Sequence, residues 1–74
     1  MTNYRFTVLI EHDEDGWIAT VPELQGCFTQ GDTYEELLAN VQDVLKGHVE
    51  LYLERGEPVP QPGTLTVTSV EVAV

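Results

Sequence analysis

The sequence has few features that could stabilise a small fold from within. It has 74 residues, 42% of them hydrophobic, and a single cysteine. A chain of this length forms one small domain, and one core of that size rarely contributes more than about 3–5 kcal/mol of net stability. Cys27 cannot form an internal disulfide, and with His12 and His48 it does not have the spacing of a zinc site. We therefore expect a homodimer or higher oligomer.

Basic residues are also scarce. Three lysines and arginines stand against 13 acidic residues, which gives a formal net charge of −10. Nucleic acids and anionic membranes are bound mainly through lysine and arginine, so the composition argues against both as direct partners. A strongly acidic surface favours a basic protein partner, although solubility alone would also explain the charge.

The chain also lacks long apolar runs. No stretch approaches the roughly 18 apolar residues that a membrane-spanning helix needs. Residues 1–5 lead directly into a strand pattern, without the basic and apolar regions of a secretory signal. Together with the lone thiol, these absences lead us to expect a cytoplasmic protein.

The first half of the sequence has the alternation of an antiparallel meander. Apolar residues occupy every second position in 4–11, which predicts a strand. The turn dipeptide Asp15-Gly16 predicts a hairpin that returns as a strand over 17–21. Pro22 ends that strand because it lacks an N–H, and 27–30 is a short third strand.

A long helix follows over 33–55. Thr33 and Glu36 have the spacing of a capping box at its start, and Gly56 suits its C-terminal cap. Apolar residues recur at helical spacing throughout, so one face of the helix should pack on the sheet. Its length would be roughly 33 Å at 1.5 Å per residue.

The C-terminal region predicts a fourth strand. A linker with three prolines occupies 56–63, and the β-rich residues 64–74 follow, with a bulge or break expected at Thr68-Ser69. Right-handed crossover places this strand beside the first, in the order 3-2-1-4. The predicted fold is a single two-layer α+β domain over 1–74, of order β-β-β-α-β. Its one helix leaves the second sheet face open to a partner chain.

Spaced motifs in this order resemble those of the HicB antitoxin family in its short form. The motifs are Trp17-x-Ala19-x-Val21-Pro22-Glu23-Leu24-x-Gly26-Cys27, Thr29-x-Gly31-Asp32-Thr33-x-Glu35-Glu36 and Gly56-x-Pro58-x-Pro60-x-Pro62. The resemblance covers roughly residues 4–62. The residues that we expect to have structural roles in the motifs are Trp17, Pro22, Leu24, Gly26, Cys27, Gly31, Thr33 and Glu36.

The resemblance implies a partial RNase H-like fold and an antitoxin function. HicB-like proteins typically cover the active surface of a small basic HicA-like toxin that cleaves mRNA, and they need no cofactor. Many members carry an additional C-terminal DNA-binding domain, which we expect this chain to lack because its last residues form a strand pattern. The alternatives are a solitary structural or binding oligomer without a toxin, and a residual metal-dependent nuclease.

The residues themselves give little support to catalysis. Two-metal cleavage needs several converging carboxylates, and the first strand offers an acid only at its end, Glu11. We therefore assign no catalytic, cofactor-binding or metal-binding residue. The candidate toxin-binding residues are Asp13, Glu14 and Asp15 in the hairpin and Glu50 and Glu54 on the helix.

Overall fold

A computed structural model describes residues 2–74 and contains three strands followed by one long helix. The elements are β1 (Leu9–Asp13), β2 (Gly16–Thr20), β3 (Phe28–Gly31) and α1 (Tyr34–Arg55). The strands form one antiparallel sheet of order β1-β2-β3, and α1 packs on β2 and β3. The predicted α+β class, with a meander and a long helix, is therefore confirmed.

The β1–β2 hairpin has the predicted turn. Asp13 pairs with Gly16 across the two residues Glu14 and Asp15, and Gly16 has a φ of 129°, a value that suits glycine. The Asp15 N–H donates to the Asp13 carboxylate at 2.8 Å, which stabilises the turn locally. In this register Ile10 lies opposite Ala19, so the alternation predicted for the first strand places these two residues on the same face.

The first strand is shorter than predicted, because residues 4–8 lie outside the ladder. The register that pairs Leu9 with Thr20 would place Thr7 opposite Pro22, which has no N–H to donate. The Thr7 carbonyl would therefore have no donor in the ladder, and the Thr7 N–H donates to the Glu23 carboxylate at 2.6 Å rather than to a strand partner. Pro22 thus ends the pairing of its neighbour strand as well as its own.

The helix has the predicted ends. The Thr33 hydroxyl accepts a hydrogen bond from the Glu36 N–H at 3.1 Å and caps the N-terminus. At the C-terminus Gly56 adopts a left-handed conformation with φ 67°, and its N–H donates to the Leu53 carbonyl at 3.2 Å. The Glu57 N–H donates to the Tyr52 carbonyl at 3.0 Å, which completes a typical glycine C-cap.

The core lies between the sheet and the helix in two adjoining clusters. One contains Ala19, Leu37 and Val41, and the other contains Val21, Leu24 and Cys27. The second cluster depends on the turn at 22–26. Three backbone bonds of 3.0–3.2 Å among Val21, Leu24 and Cys27 fold this connector onto the sheet, and Leu24 and Cys27 are almost completely buried as a result.

The predicted fourth strand is wrong for this single chain. Residues 64–74 join no ladder, and within them Val67, Val70 and Val72 are 74–81% exposed. The sheet therefore has the order 3-2-1 without a strand beside β1. The β-rich sequence favours extended backbone, but a strand needs a partner edge, and the segment contacts none here. The radius of gyration of 14.6 Å exceeds the roughly 11 Å expected of a compact chain this long.

Candidate protein-binding surfaces

Acidic side chains converge at the end of the sheet where α1 begins. Asp13 and Asp15 of the β1–β2 turn, Asp32 after β3 and Glu36 in the first helical turn line one shallow hollow. All four residues are exposed, and no lysine or arginine lines the hollow. We call Asp13, Asp15, Asp32 and Glu36 the acidic end. Carboxylates grouped in this way create a negative potential that attracts basic partners.

The candidate toxin-binding residues do not form one site. Asp13 and Asp15 belong to the acidic end, and Glu14 lies between them in the same turn. Glu50 lies 14 residues beyond Glu36 on α1, which is about 21 Å along the helix at 1.5 Å per residue. Glu50 and Glu54 are exposed near the opposite end of the helix.

Sequence reasoning assigned neither Asp32 nor Glu36 to a binding surface. A signal for both was present in the predicted order of elements. In an antiparallel meander the turn between the first two strands lies at the same end of the sheet as the end of the third strand. The helix begins directly after that third strand, so its first turn also lies at this end.

A mainly apolar groove runs between the segment that precedes β1 and the helix. Its lining includes Phe6 and Val8 from the segment before β1 and Leu38, Leu45 and Leu53 from α1. The groove exists because α1 packs over β2 and β3, which leaves its β1-facing side chains partly uncovered. Leu38 is 40% and Leu53 56% exposed. We call this feature, with a volume of about 1040 Å³, the β1–α1 groove.

The second face of the sheet is open, as predicted for a fold with one helix. Ile18 and Thr20 of β2 pair with Gln30 and Phe28 of β3 on this face. Phe28 is 69% and Ile18 38% exposed, so the apolar part of this surface is small.

The remaining candidate groups are held in structural contacts. The Cys27 side chain is 3% exposed, and burial raises the pKa of its thiol, which disfavours the nucleophilic thiolate. The His12 ring stacks on Trp17 with centroids 3.9 Å apart. Nδ1 of His48 lies 2.9 Å from the Val44 carbonyl of the same helix.

Residues 2–74 contain neither a cluster of metal ligands nor a membrane-spanning helix. No three histidine, cysteine or acidic side chains converge as metal ligands would. No helix in this part of the chain is both long and apolar enough to cross a membrane.

Comparison with known proteins identifies the family. Residues 6–72 match the family described as HicB-like antitoxin of bacterial toxin–antitoxin system. The match covers most of the chain, so this protein belongs to the HicB-like antitoxin family, and the resemblance found in the sequence is confirmed.

Individual relatives differ in length. The chain is 41% identical over 70 residues to Antitoxin HicB 2 of Photorhabdus laumondii, an alignment that covers 95% of this chain and 50% of that protein. It is 37% identical over 65 residues to a UPF0150 protein of Thermoplasma acidophilum, covering 86% of this chain and 94% of the relative. A UPF0150 protein of Synechocystis is 47% identical over 58 residues, 77% of this chain and 78% of the relative. No solved structure gave a significant match.

The structure gives the motif residues packing and capping roles. Leu24 and Cys27 are buried in the core, and Gly26 has a left-handed φ of 73° in the turn between them. Thr33 caps the helix. Gly31 lets the helix approach closely, because a Cβ at this position would lie 2.7 Å from the backbone nitrogen of Leu37. These motif residues therefore position the helix against the sheet.

Proposed function

We propose that this chain neutralises a small, basic, HicA-like mRNA-cleaving toxin by covering the toxin's RNA-binding surface. The observation that carries the proposal is the acidic end, where four exposed carboxylates converge without a basic neighbour on a chain of net charge −10. Membership of an antitoxin family and similarity to proteins named Antitoxin HicB support it.

The mechanism we propose is electrostatic and steric. A toxin that cleaves mRNA must present lysine or arginine to the phosphates of its substrate. The carboxylates of the acidic end would attract those groups, and the bound antitoxin would then exclude RNA. Asp13, Glu14 and Asp15 keep the role expected from the sequence, and Asp32 and Glu36 join them. Glu50 lies about 21 Å beyond Glu36 along the helix, and we propose that Glu50 and Glu54 lie outside this contact.

This mechanism needs no catalysis by the chain itself. We propose a binding protein that acts in the cytoplasm, that recognises a protein rather than nucleic acid or membrane, and that functions as a homo-oligomer. Incubation with RNA–DNA hybrid and Mg²⁺ or Mn²⁺ should leave the nucleic acid intact. Cleavage that Glu11→Gln abolishes would show that the chain is an enzyme instead.

The test compares two triple variants of equal charge change. Asp13, Asp15 and Asp32 are replaced by serine in one, and the exposed residues Glu50, Glu54 and Glu57 in the control. Association with a basic HicA-like protein, taken from the neighbouring reading frame where one is encoded there, is followed by stopped-flow fluorescence at low and high salt. The first variant should associate about tenfold more slowly at low salt and show a weaker salt dependence, since steering by local charge can change association rates by 10-fold or more.

The control variant decides whether the effect is local. It should associate nearly as fast as the parent chain, because its changes lie away from the acidic end. Equal slowing of both variants would show that net charge, and not the acidic end, guides the encounter. Unchanged rates in both would refute electrostatic steering altogether.

A second candidate function is a solitary binding oligomer without a toxin. It is favoured by the UPF0150 relatives, whose names mention no toxin and one of which is 94% covered by the alignment. The two candidates differ in the neighbouring reading frame. A short, strongly basic neighbour that is toxic alone and harmless when co-expressed with this chain supports the antitoxin function, whereas a harmless neighbour supports the solitary oligomer.

A further inference from the structure

The C-terminal segment has the composition of a strand but no partner. Residues 64–74 contain four valines and three threonines among eleven residues, and such β-branched residues favour extended backbone. Val70, Val72 and Val74 alternate on one side, and each is at least 75% exposed. An exposed, apolar, β-rich segment of a folded chain can pair with the edge strand of another sheet.

The free edge of β1 offers the complementary backbone groups. Around the two-residue turn, Asp13 and Gly16 form the first ladder pair, so hydrogen-bonded pairs recur at Glu11 and Leu9. The N–H and C=O groups of the residues between them, Ile10 and His12, therefore point away from β2. No hydrogen bond reaches either of these residues from elsewhere in 2–74.

The opposite edge of the sheet is partly occupied. Gln30 of β3 has its backbone groups on the outer side by the same alternation, and its carbonyl accepts a hydrogen bond of 2.8 Å from the side chain of Asn40. The helix also packs beside β3 but not beside β1. The β1 edge is therefore the one that can extend the sheet.

The β1–α1 groove can hold the valine side chains of a strand that pairs with the β1 edge. A strand added at the β1 edge would send every second side chain toward the helix, into the space bordered by Phe6, Val8, Leu38 and Leu53. The valines at 70, 72 and 74 have the spacing to fill it. No residue beyond Leu53 lines the groove in the single chain, so the chain's own C-terminal segment does not occupy it.

We propose that residues 64–74 of one copy add to the β1 edge of a second copy and bury their valines in its β1–α1 groove, while the second copy does the same in return. The single chain favours exchange over return, because in it the segment joins no ladder and leaves its own groove unfilled. Pro58, Pro60 and Pro62 stiffen 57–63, which would extend about 22 Å at 3.1 Å per residue. Reciprocal exchange pairs both unpaired elements in each chain and forms a closed twofold dimer. This inference is independent of the proposed toxin.

The first experiment measures mass and intermolecular contact. Sedimentation of the full chain at micromolar concentration should give twice the chain mass of 8.3 kDa. A nitroxide is then attached to Ser69→Cys in a Cys27→Ala background that is not isotope-labelled, and this chain is co-refolded with ¹⁵N-labelled parent chain. Exchange predicts that the amide signals of Ile10 and His12 in the labelled chain broaden.

The second experiment removes the strand by a backbone change. Val70→Pro takes away an N–H within the proposed strand and should give a monomer, whereas Gln61→Pro, in the proline-rich linker, should remain a dimer. Circular dichroism of both variants should retain the helix signal, because both positions lie outside α1 and the helix forms in the single chain.

Three results would overturn the proposal. One is a parent chain with the mass of a monomer. Another is a dimer in which the Ile10 and His12 signals of the ¹⁵N-labelled parent chain stay sharp, while a second sample, with ¹⁵N in the nitroxide-bearing chain and unlabelled parent chain in excess, shows them broadened; this would mean that the segment pairs with its own sheet. The third is a Val70→Pro variant that remains dimeric, which would place the interface elsewhere, such as the open sheet face around Phe28.

Discussion

Adding one methyl group at Gly31 should destabilise the fold more than adding one at Gly47. A Cβ at Gly31 would lie 2.7 Å from the backbone nitrogen and 3.0 Å from the Cα of Leu37. Both atoms belong to the first turns of α1, so no flexible side chain can move aside. The helix would have to shift by about 0.7 Å to reach an ordinary contact of 3.4 Å, and Leu37, which is completely buried, would lose part of its packing.

The expected magnitude follows from overpacking. Inserting a methyl group into a well-packed region typically costs about 1–3 kcal/mol. A loss of about 2 kcal/mol would remove roughly half of the 3–5 kcal/mol available to a domain of this size and would raise the unfolded fraction about thirtyfold. With a urea dependence near 1 kcal/mol per molar, the unfolding midpoint of Gly31→Ala should fall by about 2 M.

Gly47→Ala is the matched control. Gly47 lies inside the exposed side of α1, and a Cβ there meets nothing within 4 Å. Since glycine in a helix interior is about 0.5–1 kcal/mol less favourable than alanine, this variant should be more stable than the parent. The same methyl group should therefore have opposite effects at the two positions.

Urea unfolding followed by the fluorescence of Trp17, which pairs with Gly31, measures both variants. Protein concentration must be held constant, because association would raise the apparent stability. A Gly31→Ala midpoint equal to or above that of the parent would refute the close approach of helix and sheet. A destabilised Gly47→Ala would refute its placement in an open helical position.

Three further predictions concern single positions. Thr33→Ala removes the hydroxyl that accepts from the Glu36 N–H and should cost about 1 kcal/mol in urea unfolding. Gln61→Ala, at an exposed position of the linker, should change the free energy by less than about 0.5 kcal/mol. Gly26→Ala should cost about 1 kcal/mol through backbone strain alone, because φ is 73° and a Cβ would contact nothing; a stability equal to the parent's would contradict that φ. Cys27 should react slowly with iodoacetamide until urea unfolds the chain, and rapid alkylation of the native state at neutral pH would contradict its burial. Burial raises the pKa of the thiol above 9.0, so the folded state keeps the proton to a higher pH than the unfolded state does. The free energy of unfolding should therefore fall as pH rises above about 9.

Local patterns were sufficient to predict most of the elements. Two-residue alternation, the Asp15-Gly16 turn and the Thr33 and Gly56 caps depend on interactions within a few residues, and each appears in the structure at or within one residue of its predicted place. The start of β1 was misplaced because it depends on Pro22 in the neighbouring strand. Alternation within 4–11 carries no information about which partner residues can hydrogen-bond.

The acidic end was predicted only in part for the same reason. Asp13 and Asp15 are predicted together because they belong to one run of three acidic residues, whereas Asp32 and Glu36 reach them only through the folding of the sheet. Glu50 and Glu54 were grouped with the hairpin by charge alone, and the length of α1 separates them. The net charge of the sequence indicates the sign of a partner's charge, but the position of each carboxylate depends on tertiary contacts.

The scarcity of cysteine and of basic residues predicts that the fold is stabilised by association and that its direct partners are not nucleic acids, and both stay predictions. The motifs established the family, since they encode turns, caps and close contacts that are local. Only the tertiary structure decided that residues 64–74 stay outside the sheet and that the β1 edge and its groove remain open. The sequence of a strand determines its preference for extended backbone, whereas the tertiary structure determines which sheet edge forms hydrogen bonds with it.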